Sequence, residues 1–404
     1  MQIERLRAWW AHRQGLDGTL QGADCADVLA RTGWARSVGG SAPYLGLRAR
    51  CGAGREEVDA AVAALVIHEL PSARGCTYVL PAQDFALGLT VGAGVPEAEL
   101  RSAEKHLGVT RDEVDELCAA VTGALGDSDV PLDPRKIKAT TGDAVRSLGE
   151  AGKKRGLSST LPLALGLLQA RGAIRRVPVD GRLDQQRYGY VRWGLDSEDT
   201  SKIEDTGKLT PESARAELAR RYFAWAGPAS MAHFRWFSGV TAAAAKAATA
   251  GLDLVDVGDG LLLPAALQDD FAAYRTPKKP SYALVAGIDG MHLLHRDFAS
   301  RLLDPADAAR IAPDTKGRKT LGQLADSPSH MIVDRGRLVG LWEYDVDAGE
   351  IVWEAWVTPD AALRKAVTTT EAFVRDELGD ARSFSLDSPS SRSPRIAELR
   401  ARAQ

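Results

Sequence analysis

The segment IDGMHLLHRD gathers two carboxylates and two imidazoles within ten residues: Asp289, His292, His295 and Asp297. Such groups move protons near neutral pH or ligate metals. The histidines stand three apart with no second carboxylate set, a pattern that falls short of a metal site. Asp289, followed by glycine, reads equally as a turn residue. A second polar pair, Gln83 and Asp84 in PAQDF, precedes an apolar helical pattern, so Asp84 also reads as an N-cap. Residues 32–50, TGWARSVGGSAPYLGLRAR, are the reverse case, with no carboxylate, carboxamide or histidine. There Gly39 and Gly40 permit a close backbone approach, and Arg36, Ser37 and Ser41 offer donors to whatever approaches.

Charge marks a second kind of chemistry. Residues 134–193 carry thirteen Lys or Arg against four acids, a local charge of +9 in a chain whose net charge is −3, which leaves −12 for the rest. A segment so basic inside a mildly acidic protein is built for an anionic partner, or else forms a solvated face. Arg171, Arg175 and Arg176 fall at the end of an apolar helix and the start of a strand, Arg182 and Arg187 in or beside the following turn, and Lys136 and Lys138 on a short helix before them. Arginines on a hairpin suit phosphate oxygens or a minor groove.

The elements that must position these groups recur three times in one order: long helix, short helix, apolar helix, β-hairpin. The middle copy is VTRDEVDELCAAVTGALG, DPRKIKATTG and TLPLALGLLQARGAIRRVPVDGRLDQQRYGYVRW. The first runs through IERLRAWWAHRQGL, DCADVLARTG, REEVDAAVAALVIHEL and the strand CTYVLP; the third through TPESARAELARRYFAWAG, SMAHFRWFSG and TAAAAKAATAGLDLVDVGDGLLLP. This is the order of a winged helix-turn-helix, a module that also docks proteins. Beyond residue 280, SYALVAGIDGMHLLHR, HMIVDRGRLVGLWEYDVDAGEIVWEAW and FSLDS read as strands, with DAALRKAVTTTEAFVRDELG as a closing helix. The expected fold is α+β, mainly helical: winged helices over 1–90, 91–200 and 205–275, then a small β-barrel or curled sheet over 280–404.

The chain resembles the AlkZ-like (YcaQ-like) winged-helix DNA glycosylases over nearly its whole length. The resemblance rests on ARGCTYVLPAQDF, YFAWAGPASMAHFRWFSG, IDGMHLLHRD and IVDRGRLVGLWEY in that order. It implies three tandem winged helices and a C-terminal barrel on duplex DNA, excising N-alkylated bases or unhooking crosslinks. A purine alkylated at N7 is already a good leaving group, so the protein has to stabilise an oxocarbenium-like sugar and hold one water. In the family a Gln, an apolar residue and a Gln or Asp do this. Alignment on LGLRAR puts Arg36, Ser37 and Val38 at those places, none of them an amide or acid. The polar group then comes from Asp289, His292, His295, Asp297, Gln83 or Asp84, or the adduct is different, or cleavage is lost and DNA binding kept. A non-catalytic DNA-binding regulator is the rival reading, and a protein-docking scaffold a third.

Other chemistries find little support. Cys25, Cys51, Cys76 and Cys118 lack paired short spacing, which argues against zinc and a disulfide framework and for reduced, buried thiols. VGAGVPEAEL has no phosphate-loop pattern, and no nucleophile elbow surrounds Ser158, Ser159 or Thr160. Trp9, Trp10, Trp353 and Trp356 stand at spacings of core residues. No cofactor or metal is expected, the longest apolar run has roughly half the length of a membrane span, the charged N-terminus favours the cytoplasm, and three different winged helices in one chain favour a monomer acting on duplex DNA.

Overall fold

A computed structural model describes residues 2–185, 187–194, 209–313 and 318–402. Gln186, in the expected wing turn, and residues 195–208, where the second and third modules were expected to meet, lie outside that description. The architecture is mixed α and β, about half helical. The chain divides into two compact units, residues 1–68, 79–82 and 215–404 forming one and residues 69–78 and 83–214 the other.

The chain begins with α1 (Ile3–Arg13), α2 (Cys25–Thr32), β1 (Ala35–Arg36), α3 (Ala42–Cys51) and α4 (Arg55–Ala63) of the first unit, followed by β2 (Ile67–Pro71) and β3 (Thr77–Pro81), and the three strands are joined in the order β1-β3-β2. The expected helix through VIHEL is corrected here. Leu65 turns into the left-handed region at φ 56°, which α4 cannot pass, and the chain resumes as strand at the β-branched Ile67. Asp24 caps α2 by accepting the Asp27 N–H.

The second unit holds α5 (Phe85–Gly92), α6 (Gly94–Leu107), α7 (Arg111–Gly126), α8 (Pro134–Thr141), α9 (Gly149–Lys153), α10 (Leu161–Ala170) and the antiparallel pair β4 (Ile174–Pro178) and β5 (Tyr188–Arg192). Thr110 and Glu113 close a capping box at α7, and Asp133 caps α8 just before Pro134. Leu117, Val121, Leu165, Leu168 and Ile174 form its core.

The first unit resumes with α11 (Pro211–Ala226), α12 (Met231–Ser238), α13 (Ala242–Thr249), the pair β6 (Leu254–Asp256) and β7 (Leu262–Pro264), and α14 (Gln268–Ala273). Then come β8 (Tyr282–Val285), α15 (Gly290–Leu293), β9 (His330–Asp334), β10 (Arg337–Asp345), β11 (Glu350–Ala355), α16 (Ala361–Phe373) and α17 (Pro389–Arg402). The last four strands form an antiparallel sheet in the order β11-β10-β9-β8. It stays open, with β8 and β11 at its edges; of the expected barrel or curled sheet, no closed barrel occurs among the described residues. The segment FSLDS adds no strand. Phe384 and Leu386 point outward, and Asp387 folds the backbone into a turn by accepting the Ser383 N–H at 3.0 Å. The expected strand through MHLLHR is likewise a helical turn, because the Asp289 carboxylate accepts the Met291 N–H at 2.8 Å and starts α15.

Trp9 and Trp10 enter a core shared with Met331, Val333 and Leu341 of the sheet, as their spacing predicted. Their indole N–H groups donate to Gly227 O and Pro228 O, which satisfies the polar end of each buried ring. Trp353 and Trp356 are only partly buried. No described helix is long and apolar enough to cross a membrane.

Candidate functional site

Asp289 is brought to a partner the sequence did not single out. Gly46 and Arg50 lie four apart on α3 and so share one helical face. The Arg50 guanidinium donates to both carboxylate oxygens of Asp289, each at 2.8 Å, to Gly46 O at 3.0 Å and to the Gln14 side-chain oxygen at 3.0 Å. Gln14 in turn donates to Thr32 O at 2.7 Å, tying the C-terminal end of α1 to the start of residues 32–50. Two glycines border this cluster closely: a Cβ on Gly290 would lie 3.2 Å from Gln14 Oε1, a tight contact, and one on Gly46 3.4 Å from Asp289 Oδ2, an ordinary one. Both ionic side chains are about 95% buried. Beside them, lined also by Thr32, Trp34 and Arg36, is a space of about 20 Å³, enough for one water. LGLRAR displays two arginines, Arg48 and Arg50, at the end of an apolar helix, but neither which of them is buried nor its partner.

What comes close to the glycines of residues 32–50 is the chain itself. A Cβ on Gly40 would sit 2.5 Å from the Ser383 backbone. Ser41 donates both its backbone N–H and its hydroxyl to Arg382 O, at 2.9 and 3.1 Å, and the Ser385 N–H donates to Val38 O at 3.1 Å. Ser37 and Ser41 are each about 1% exposed, while Arg36 is half-buried. The narrow passage therefore packs residues 382–385 against residues 38–41.

The remaining polar candidates do not converge. His292 is buried and lies 3.2 Å from Asp326, which Arg296 also grips at 2.7 Å; the His292 hydrogen bond and then the Arg296 pair hold the Asp326 carboxyl below its ordinary range. His295 turns the other way, to Ala226 O at 2.9 Å, with Trp10 stacked 4.2 Å from its ring. Burial lowers its pKa to about 3, and that of the neighbouring His233 to about 4, so both are neutral. Asp297 accepts the Ser300 N–H and lies 3.5 Å from Arg301. In the second unit, Gln83 is exposed and Asp84 is fully buried at the N-cap position of α5, without a side-chain bond to that helix. No group of three side chains able to hold a metal occurs among the described residues.

The basic segment is less uniform than its composition. Arg175 and Arg176 are consecutive on β4, facing Val191 and Tyr190, so they project to opposite faces of the ribbon. Arg176 lies 3.6 Å from Glu69 and stacks over Tyr188. Arg175 is half-buried, and desolvation lowers its pKa. Arg182 is bound by Asp184 at 2.9 Å, and Arg171 lies 3.5 Å from Asp115. Lys136, Lys138 and Arg187 are exposed.

Comparison with known proteins follows the same outline. The family described as DNA glycosylase AlkZ-like matches residues 27–384. The interstrand DNA cross-link repair glycosylase of Streptomyces sahachiroi is 25% identical over 338 residues, 83% of this chain and 86% of that protein. The structure of the Streptomyces sahachiroi DNA glycosylase AlkZ superposes with a TM-score of 0.67, at 21% identity, over 94% of this chain and 98% of that one.

Proposed function

Because the chain belongs to the DNA glycosylase AlkZ-like family, we propose that it hydrolyses the N-glycosidic bond of N-alkylated or bulky-adduct bases in duplex DNA, interstrand crosslinks included. The match across 27–384 carries this reading. Helices α7, α8 and α10 with β4–β5 then serve as the DNA-facing winged helix, with α1, α2, α4 and β2–β3 before it and α11, α12, α13 and β6–β7 after it. Module boundaries fall near residues 90, 200 and 275. Lys136, Lys138, Arg171, Arg175 and Arg187 meet phosphates, and one chain acts as a monomer in the cytoplasm without a cofactor.

For chemistry, Asp289 is the carboxylate we assign to the water. Its Oδ1 accepts from both Arg50 and the Met291 N–H, while Oδ2 accepts from Arg50 and keeps acceptor capacity for a water. An alkylated purine leaves as a neutral base, so the protein needs to orient a water and meet a developing positive sugar rather than supply a strong acid. Ser37, which is buried, lies in the stretch that corresponds to the family's Gln, apolar, Gln or Asp motif. The test is incubation with duplexes containing 7-methylguanine and with duplexes carrying a bulky N7 crosslink. Released base that is lost in Asp289→Asn, with duplex affinity retained, is the expected result.

A second reading is DNA binding without cleavage. It draws on Arg36, Ser37 and Val38, which supply neither amide nor acid. Tight duplex binding with no base released from either substrate would establish it.

A further inference from the structure

Within the first unit, the turn that packs on residues 38–41 shows its two large apolar side chains to solvent. Leu386 is 83% exposed and Phe384 45%, whereas every other exposed large hydrophobic among the described residues is a valine or isoleucine, none above 58%. A loose loop would fold such side chains inward. This one is held from both sides: the Ser385 N–H donates to Val38 O at 3.1 Å and Arg382 O accepts from Ser41, while the buried Asp387 accepts the Ser383 N–H at 3.0 Å and the Arg395 guanidinium of α17 at 2.9 Å. The backbone N–H groups of Asp387 and Ser388 close onto Phe384 O and Leu386 O at 2.9 and 3.0 Å. Single exposed apolar residues are ordinary on a protein surface, but a pair fixed on one locked turn marks a contact surface.

Residues 38–41, on which the turn is seated, join Arg36 to Ala42, and both of these line the water-sized space beside Asp289. Asp387, the one acid in residues 382–388, is turned inward to Arg395, so the tip presents no carboxylate to a polyanion. We propose that Phe384 and Leu386 form a wedge that enters the base stack of duplex DNA next to the adducted base, an inference that rests on the glycosylase reading for its partner. Apolar side chains part a base step at the cost of unstacking, which is offset by stacking on the ring and by removal of their own surface from water. A base crosslinked to the opposite strand cannot swing out of the duplex as a free one does. Parting the step at its side then opens its glycosidic bond to the water assigned to Asp289.

The probe is a duplex with 2′-fluoro-7-methylguanine, whose glycosidic bond resists hydrolysis, and 2-aminopurine in the adjoining pair, whose emission rises on unstacking. Saturating unmodified protein should raise the emission. Phe384→Ala with Leu386→Ala, both exposed and so sparing the core, should abolish the rise and weaken affinity for this duplex about tenfold. Phe384→Trp, which keeps an apolar wedge, should retain the rise. No rise with the unmodified protein, or a rise undiminished in the double variant, overturns the proposal. So does a dimer seen by sedimentation and lost in the double variant while the emission is unchanged, which gives the two side chains to a second copy of this chain. Base release from a cleavable 7-methylguanine duplex is measured separately. Release without an emission change defeats the wedge and spares the glycosylase reading, and an emission change lost in the double variant, with no release, does the reverse.

Discussion

Arg50 and Asp289 stand 239 positions apart in sequence and meet as a buried two-pronged ion pair, with both Nη–Oδ distances 2.8 Å. Gln14 shares the same guanidinium. The pair thus fixes α3, the N-terminal end of α15 and the C-terminal end of α1 at the proposed water position.

Removing one member leaves an uncompensated buried charge. Arg50→Met is expected to destabilise the protein by about 3–5 kcal/mol, while Arg50→Met combined with Asp289→Leu recovers most of it. Urea unfolding of the two variants checks this, and equal losses would contradict the pairing as the cause.

Gly40→Ala tests the packing of residues 382–385 on residues 38–41. The added Cβ would lie 2.5 Å from backbone atoms of Ser383, which cannot swing aside. A loss of about 1–3 kcal/mol is expected, read as a lowered denaturation midpoint. Gly149→Ala is no control for it, since its positive φ brings strain of its own.

The histidine pair sets an acid limit. His233 and His295, with ring centroids 5.4 Å apart, have folded pKa values of about 4 and about 3, both below the ordinary 6.5. The unfolded chain therefore takes up protons first. Stability from these residues is complete above about pH 6.5 and falls as pH drops toward 4, with a slope approaching about 1.4 kcal/mol per pH unit for each histidine. Urea midpoints between pH 7 and 5 should show the fall, and His233→Gln should make it shallower.

Within the basic segment, exposure rather than charge alone should decide DNA affinity. Lys136→Ala with Lys138→Ala is expected to weaken duplex binding for all sequences alike and to lower the salt slope by nearly two, at about 0.9 per phosphate contact. Arg182→Ala should change it little, because Asp184 already holds that guanidinium. Arg175→Ala and Arg176→Ala should differ from each other, since their side chains leave opposite faces of β4.

Much of the local architecture was legible in the chain. Thr110 and Glu113, Asp133 before Pro134, and Ser230 at α12 announced helix starts through short-range hydrogen bonds. The turns of the terminal sheet and the core placement of Trp9 and Trp10 also followed from local pattern. Family membership was legible too, carried by motif order across the length. Tertiary structure decided the rest. Whether Gly40 admits a foreign backbone or residues 382–383, and whether Asp289 is a turn residue or half of a buried ion pair, depend on partners distant in sequence. Propensity and spacing act over a few residues, whereas burial and ion pairing are set by which segments the folded chain brings within a few ångströms.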